Sequence, residues 1–241
     1  MQDQKPYVPK VSFLADEDML KAYQESIESH SRKARDSLNI FRYENGVIKG
    51  SNLFANIKIA SLFPQEYRLA LPSEVLQDLE LNPDFFRENY EDLGLVLRTN
   101  GDSYDPNDYN AKNLYKQLNH RGIKPSEELT VLISLRGLAL KEDDESSYGL
   151  VHLLTDETQI IQAPELSHLN DRKRFSRADE RGIPIFDGKG ERIFYSGQGG
   201  LGRFCLDGGL GLYSGWYRDL ADSDAVGRVA VVKNFHSGNS R

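Results

Sequence analysis

The sequence predicts an α+β fold. Helical spacings concentrate before residue 91, short apolar runs of strand length dominate after residue 93, and no regular strand–helix alternation links the two parts. A doubly wound parallel sheet would require that alternation. The expected organisation is a helical and mixed extension over residues 1–91, free-standing or packed on the main domain, a main domain over 92–235 and a short tail over 236–241.

The elements follow in order. Met19, Leu20, Tyr23 and Ile27 fall at helical spacing behind Asp16, whose carboxylate can accept from the free N–H groups of a first turn. Asn45-Gly46 is a turn pair. Residues 53–63 carry the apolar run Leu53, Phe54, Ile57, Ile59 and Leu62, stopped by Pro64. Residues 68–71 suit a short strand. Pro72 opens a helix through residue 79, and Pro83 suits the first turn of another, where a missing N–H costs nothing. Residues 93–97 are a short apolar run expected as a buried strand, and 101–106 a loop. Asn110 is placed to cap a helix carrying Leu114, Tyr115 and Leu118, which stops at Gly122. Residues 129–140 read as one strand, followed by an acidic turn at 142–145 and strands over 148–154 and 158–163. A short extended piece at 184–186 precedes the Asp187-Gly188 turn. Residues 191–195 form a strand, then a glycine-rich segment, and 229–232 a final apolar strand.

Composition narrows the function. With 241 residues, 39% of them hydrophobic, the chain can bury a large single core. A net charge of -7 argues against broad nucleic-acid binding, which needs a basic face to displace counterions. Arg172, Lys173, Arg174 and Arg177 cluster locally and read as a solvated loop. One cysteine, Cys205, excludes an internal disulfide and a Cys-rich zinc site and fits a reducing compartment. Residues 1–11 hold no apolar signal core, and no run approaches the roughly 20 apolar residues of a membrane helix. The expectation is a cytoplasmic protein without membrane insertion, or one delivered to a surface by a route that leaves no signal here.

Candidate chemistry is sparse. Residues 197–202 match G-x-G-x-x-G, but the four further glycines in 203–215 leave no helical period, and the motif needs a helix N-terminus to meet a pyrophosphate. Asp105, Asn107 and Asp108 resemble part of a calcium loop without its glycine or distal glutamate. The run Asp143-Asp144-Glu145 suits a solvated hairpin tip. His30, His120, His152, His168 and His236 share no metal-ligand spacing. Nothing local supports Cys205 as a nucleophile. No enzyme, cofactor or metal is expected.

Residues 199–232 stand apart. They contain no Lys, Glu, Gln or Met, four types that make up 41 of the 241 residues, where average usage predicts roughly six. Even positions read Phe204, Leu206, Gly208, Leu210, Leu212, Ser214 and Trp216; odd positions read Cys205, Asp207, Gly209, Gly211, Tyr213, Gly215 and Tyr217. In an extended chain the two sets face opposite sides, one apolar and one small, polar or aromatic. Tyr, Gly, Ser and Asp form a paratope-like set, and Trp216, Tyr217 and Arg218 are of types enriched in binding hot spots.

This run resembles the variable region of archaeal proteins diversified by diversity-generating retroelements. The matching residues are Leu201-Gly202-Arg203, Leu206, Leu210, Leu212, Leu220-Ala221, Ser223 and Gly227-Arg228-Val229-Ala230-Val231-Val232. Upstream segments are similar too: Tyr7-Val8-Pro9, Gly50-Ser51-Asn52, Asp92-Leu93-Gly94-Leu95-Val96-Leu97-Arg98, Leu135-Arg136-Gly137-Leu138, Ile160-Ile161-Gln162-Ala163-Pro164 and Gly182-Ile183-Pro184. The resemblance implies a C-type lectin-like main domain of the formylglycine-generating-enzyme type. It also implies a ligand-binding surface with variable protein or cell-surface partners. Randomised Asn codons yield no Lys, Glu, Gln, Met or Trp, so the missing four types agree and Trp216 departs from the pattern. The surface residues are then Cys205, Asp207, Gly209, Gly211, Tyr213, Gly215, Trp216, Tyr217, Arg218, Asp219, Asp222, Asp224, Ala225 and Val226, with the leucines and Arg228 as scaffold. The alternatives are a relative of the sulfatase-modifying oxidases, which would use a pair of cysteines, or a nucleotide-binding enzyme using the 197–202 loop.

Overall fold

The structure, a computed structural model, describes residues 10–101, 103–167, 172–197, 199–215 and 219–234. Strand β1 (Val11–Phe13) leads into helices α1 (Glu17–Ile27) and α2 (Arg32–Leu38). Asp16 caps α1 by accepting from the Met19 N–H at 2.9 Å, and Leu20, Tyr23 and Ile27 are its buried residues. The hairpin β2 (Arg42–Glu44) and β3 (Val47–Lys49) turns through Asn45 and Gly46, both at positive φ, as a two-residue hairpin turn demands. The run at 53–63 is helical: α3 (Leu53–Ala60) starts at Asn52, whose side chain accepts from the Ala55 N–H at 2.7 Å. It is buried nearly all round, so its apolar residues show no single stripe. β4 (Tyr67–Leu69), α4 (Pro72–Leu81) and α5 (Pro83–Phe86) follow.

Strand β5 (Tyr90–Leu97) is buried along its whole length, and the boundary expected after residue 91 falls inside it. In α6 (Asp108–His120), Asn110 is not the cap. It lies within the helix, buried, and its amide binds the Leu150 carbonyl and the His152 N–H. The single strand expected over 129–140 divides into β6 (Val131–Ser134) and β7 (Leu138–Glu142). Gly137 breaks it, at φ 80°, where a Cβ would meet the Glu157 backbone at 2.5 Å. Next come β8 (Leu150–Leu154), β9 (Ile160–Gln162), β10 (Arg172–Phe175), β11 (Arg192–Ser196), β12 (Leu201–Leu206), β13 (Leu212–Ser214), β14 (Gly227–Arg228) and β15 (Ala230–Lys233). Three of the four clustered basic residues therefore sit on a strand, not in a loop. The glycine motif at 197–202 runs into β12, so no helix N-terminus meets it.

The chain is α+β. Its main sheet is mixed, in the order β10-β11-β13-β12-β5-β6-β9, with β14 alongside β5. The β11–β13 and β14–β5 pairs are parallel and the rest antiparallel. A second sheet, β1-β15-β4, joins residues near both ends of the chain. Apolar clusters cover both faces of the main sheet. One gathers Tyr23, Leu53, Phe54, Leu95, Leu97, Leu114 and Leu201; the other gathers Leu76, Phe86, Val96, Phe175, Phe194, Phe204 and Leu212. The first cluster draws on residues from both sides of position 91, so the N-terminal part shares its core with the rest.

Candidate binding surface

The strands after residue 200 set up the surface. Phe204, Leu206, Leu210 and Leu212 enter the second core, as their even positions predict. The odd face of β12 presents Arg203 and Cys205 beside Asp92 of β5. The extended run expected through 217 is interrupted at 207–211 by a tight turn, with Leu210 at φ 65°. Asp207 makes that turn, its Oδ1 accepting from the N–H groups of Gly209 at 2.9 Å and Gly211 at 2.7 Å.

Cross-strand register then aligns Arg172, Tyr195, Tyr213 and Cys205 across β10, β11, β13 and β12. The Tyr195 and Tyr213 rings stack with centroids 4.6 Å apart, and the Arg172 guanidinium lies 4.6 Å from the Tyr195 centroid. Beside this ladder is a recess of about 140 Å³ lined by Tyr90, Cys205, Asp207, Gly208, Tyr213, Asp224 and Val226. Five of the candidate residues therefore meet at one place.

A buried polar cluster lies beneath it. Arg203 grips Asp92 with Nε at 2.9 Å and Nη2 at 2.8 Å, both side chains being almost fully buried. Burial alone would lower the Arg203 pKa, but the Asp92 charge and hydrogen bonds, together with the Tyr90 and Cys205 side chains, outweigh it, so the guanidinium is held protonated. Asp92 also accepts from the Ser51 hydroxyl at 2.7 Å and the Tyr90 hydroxyl at 3.1 Å. Burial pushes the Tyr90 phenol well above its ordinary range, with the Asp92 charge adding to the rise.

This cluster holds the next loop by its main chain. Arg203 Nη1 donates to the carbonyls of Asp219 and Asp222, at 3.3 and 2.8 Å. Asn52 Nδ2 donates to the Ala221 carbonyl at 2.8 Å, and the Tyr148 hydroxyl accepts from the Leu220 N–H at 3.1 Å. The Gly50 N–H reaches the Gly227 carbonyl at 2.9 Å, and a Cβ on Gly227 would meet the Ser51 nitrogen at 2.6 Å. Leu220 is fully buried, whereas Asp222, Asp224, Ala225 and Val226 are exposed. Residues 223–226 also border a second hollow, of about 540 Å³, against residues 39–50.

The remaining candidates are placed as follows. Cys205 is buried at the recess and Gly211 is buried near the Ile193 carbonyl, so neither belongs to an exposed face. Gly209 is exposed at the turn tip, and Gly215 and Asp219 are half-buried. Trp216, Tyr217 and Arg218 lie outside the described residues. Arg228 donates to its neighbour's carbonyl at Gly227 and stands in register with Glu91, whose buried carboxyl has no hydrogen-bond partner among the described residues. Burial pushes that carboxyl well above its usual range despite the Arg228 charge. Sequence reasoning missed Tyr90, Asp92, Arg203, Tyr195 and Arg172 as parts of the surface. The odd-position parity of Arg203 was the one available signal.

Among the described residues, no group of three or more His, Cys, Asp or Glu is placed to hold a metal ion, and no helix is long and apolar enough to cross a membrane. Comparison with family models, curated proteins and solved structures returns no match.

Proposed function

We propose that this chain is a non-enzymatic binding protein that presents residues 207–226 to protein or cell-surface ligands. One observation carries the reading. The 219–227 loop is held through its backbone by Arg203, Asn52, Tyr148 and Gly50, while the side chains of Asp222, Asp224, Ala225 and Val226 point to solvent. Backbone anchoring leaves Asp222, Ala225 and Val226 free to change without loss of the loop's shape, while the Asp224 side chain also accepts from the Val226 N–H. The tyrosine ladder and the recess supply rigid contact area, and a well-seated anchor of that kind contributes about 2 kcal/mol or more to binding. The finer reading is a C-type lectin-like domain diversified by a retroelement.

Two experiments test it. Randomising positions 222, 225 and 226 together should leave most variants folded, with stability within about ±0.5 kcal/mol per exposed substitution. A library that largely unfolds would sink the display reading. Sequencing the DNA beside the gene should find a near-copy of the 199–232 coding stretch, differing at adenines, close to a reverse transcriptase. Flanks lacking both would remove the diversification and leave a fixed binding surface.

A further inference from the structure

We propose a second ligand site: the cleft between α3, residues 61–69 and the β7–β8 hairpin binds an anionic amphiphile, an apolar body with one carboxylate-like head. The cleft encloses about 690 Å³, inside the roughly 300–1,000 Å³ range of small-molecule sites. Its apolar walls include Ile57, Phe63, Tyr67, Leu69, Leu138 and Leu140, and it shares no lining residue with the recess beside Cys205.

Its charges set the head group. Arg68 is committed to Glu74, on which its Nη1 closes at 2.6 Å, and His30 to Glu142. Lys58 and Arg136 are the remaining cations and Glu157 the remaining anion of the lining, and none of the three side chains makes an ion pair among the described residues. Glu157 and Arg136 are exposed at the rim, whereas Lys58 is half-buried between apolar neighbours. An ammonium at the wall of an apolar cleft, without a counter-charge of its own, favours a ligand that brings an anion to it. Lys58 also lies in the last turn of α3, where its charge complements the helix dipole. The backbone beside Arg136 is held at the cleft, where the hydroxyls of Thr155 and Thr158 both donate to the Gly137 carbonyl, at 2.5 and 2.7 Å.

Calorimetric titration of the full chain with decanoate, decanol and decyltrimethylammonium tests the site. Decanoate should bind one to one, at least about tenfold tighter than decanol, the effect of one charge-assisted hydrogen bond. The cationic probe should not bind. Lys58→Met should bring decanoate down to the affinity of decanol, Lys58→Arg should retain the preference, and Ala139→Trp, which fills the cleft, should abolish binding of both. Folding of each variant is checked by circular dichroism. No decanoate binding, equal binding of decanoate and decanol to the parent chain, or an unchanged preference in Lys58→Met would each overturn the proposal.

Discussion

The buried imidazole of His152 should make the protein acid-labile in a calculable way. Its ring is fully buried and stacks on Phe54 with centroids 4.6 Å apart. Asn110 orients it. The Asn110 Nδ2 donates to the Ser146 hydroxyl and the Leu150 carbonyl, which leaves Oδ1 to face the His152 Nδ1 at 3.1 Å. Nδ1 therefore carries the proton, and Nε2 has no partner among the described residues. A second proton on Nε2 would be a buried charge without an acceptor. Burial accordingly lowers the pKa from 6.5 to about 3. The depressed pKa means that the stability is present above pH 6.5 and is lost as pH falls, because the unfolded chain takes up a proton that the folded chain refuses. The loss is about 1.4 kcal/mol per pH unit, or about 5 kcal/mol from pH 6.5 to 3. Urea denaturation of the parent chain and His152→Phe from pH 4 to 8 measures it. Asn110 Oδ1 still accepts from the residue 152 main-chain N–H at 3.2 Å in the variant, so that acceptor stays satisfied. The stability difference between the two proteins should be flat above pH 7 and move in favour of the variant below pH 6. Parallel curves through that range would refute the neutral, proton-refusing histidine.

Glu91 should act in the opposite sense. Its folded pKa is raised from 4.5, so its stability contribution is complete below that pH and is lost as pH rises; Glu91→Gln should gain on the parent by about 1.4 kcal/mol per unit above pH 4.5, up to the folded pKa, in the same urea series. Removing one partner of the buried pair, in Asp92→Ala, should cost about 3–5 kcal/mol in chemical denaturation, far more than any change at exposed Asp222. Asn52→Asp keeps the acceptor that caps α3 but loses the amide donors to the Ser37 and Ala221 carbonyls, at about 1–3 kcal/mol for each group left unsatisfied. Amide exchange at Leu220 should quicken in that variant more than exchange within α3, and equal acceleration of both would mean that the anchor and the cap are not separable.

Much of the fold was legible because local chemistry agreed with the final structure. Asp16 before an amphipathic run, Asn45-Gly46 between two short strands, and Pro72 and Pro83 at helix starts are each dictated within a few residues. The failures share a cause, which is dependence on distant partners. Asn110 has the composition of a cap, but buried carbonyl and N–H groups some forty positions away in β8 claim its amide. The apolar run 129–140 breaks at Gly137 because the 157–158 backbone passes there. The surface was legible to the same extent. Alternation located buried positions within the two strands, at Phe204, Leu206, Leu212 and Ser214, since it needs only the two-residue period of a strand, but it did not foresee that Cys205 and Gly211 are buried as well. It could not show that Asp207 is consumed by a turn, or that Tyr90 and Asp92 complete the recess and its support from another strand.

The arrangement of Arg203 explains how one loop can be both rigid and permissive. A loop with exposed side chains normally owes its shape to its own sequence, through turn residues and local hydrogen bonds. Here much of that instruction comes from elsewhere. Arg203 is itself fixed by Asp92, which is fixed in turn by Ser51 and Tyr90. Asn52 is fixed by its duty as the α3 cap, and Tyr148 by its hydrogen bond to Asn107. Each anchor therefore stays in position whatever residue occupies 222, 225 or 226. Local instruction survives at Asp224, whose side chain accepts from the Val226 N–H at 3.0 Å, and at Asp219, which accepts from Ala221 at 2.7 Å. Those two aspartates should tolerate Asn or Ser better than apolar residues, while positions 222, 225 and 226 tolerate most side chains. A substitution profile graded in that way separates a displayed surface from a loop that is exposed and nothing more.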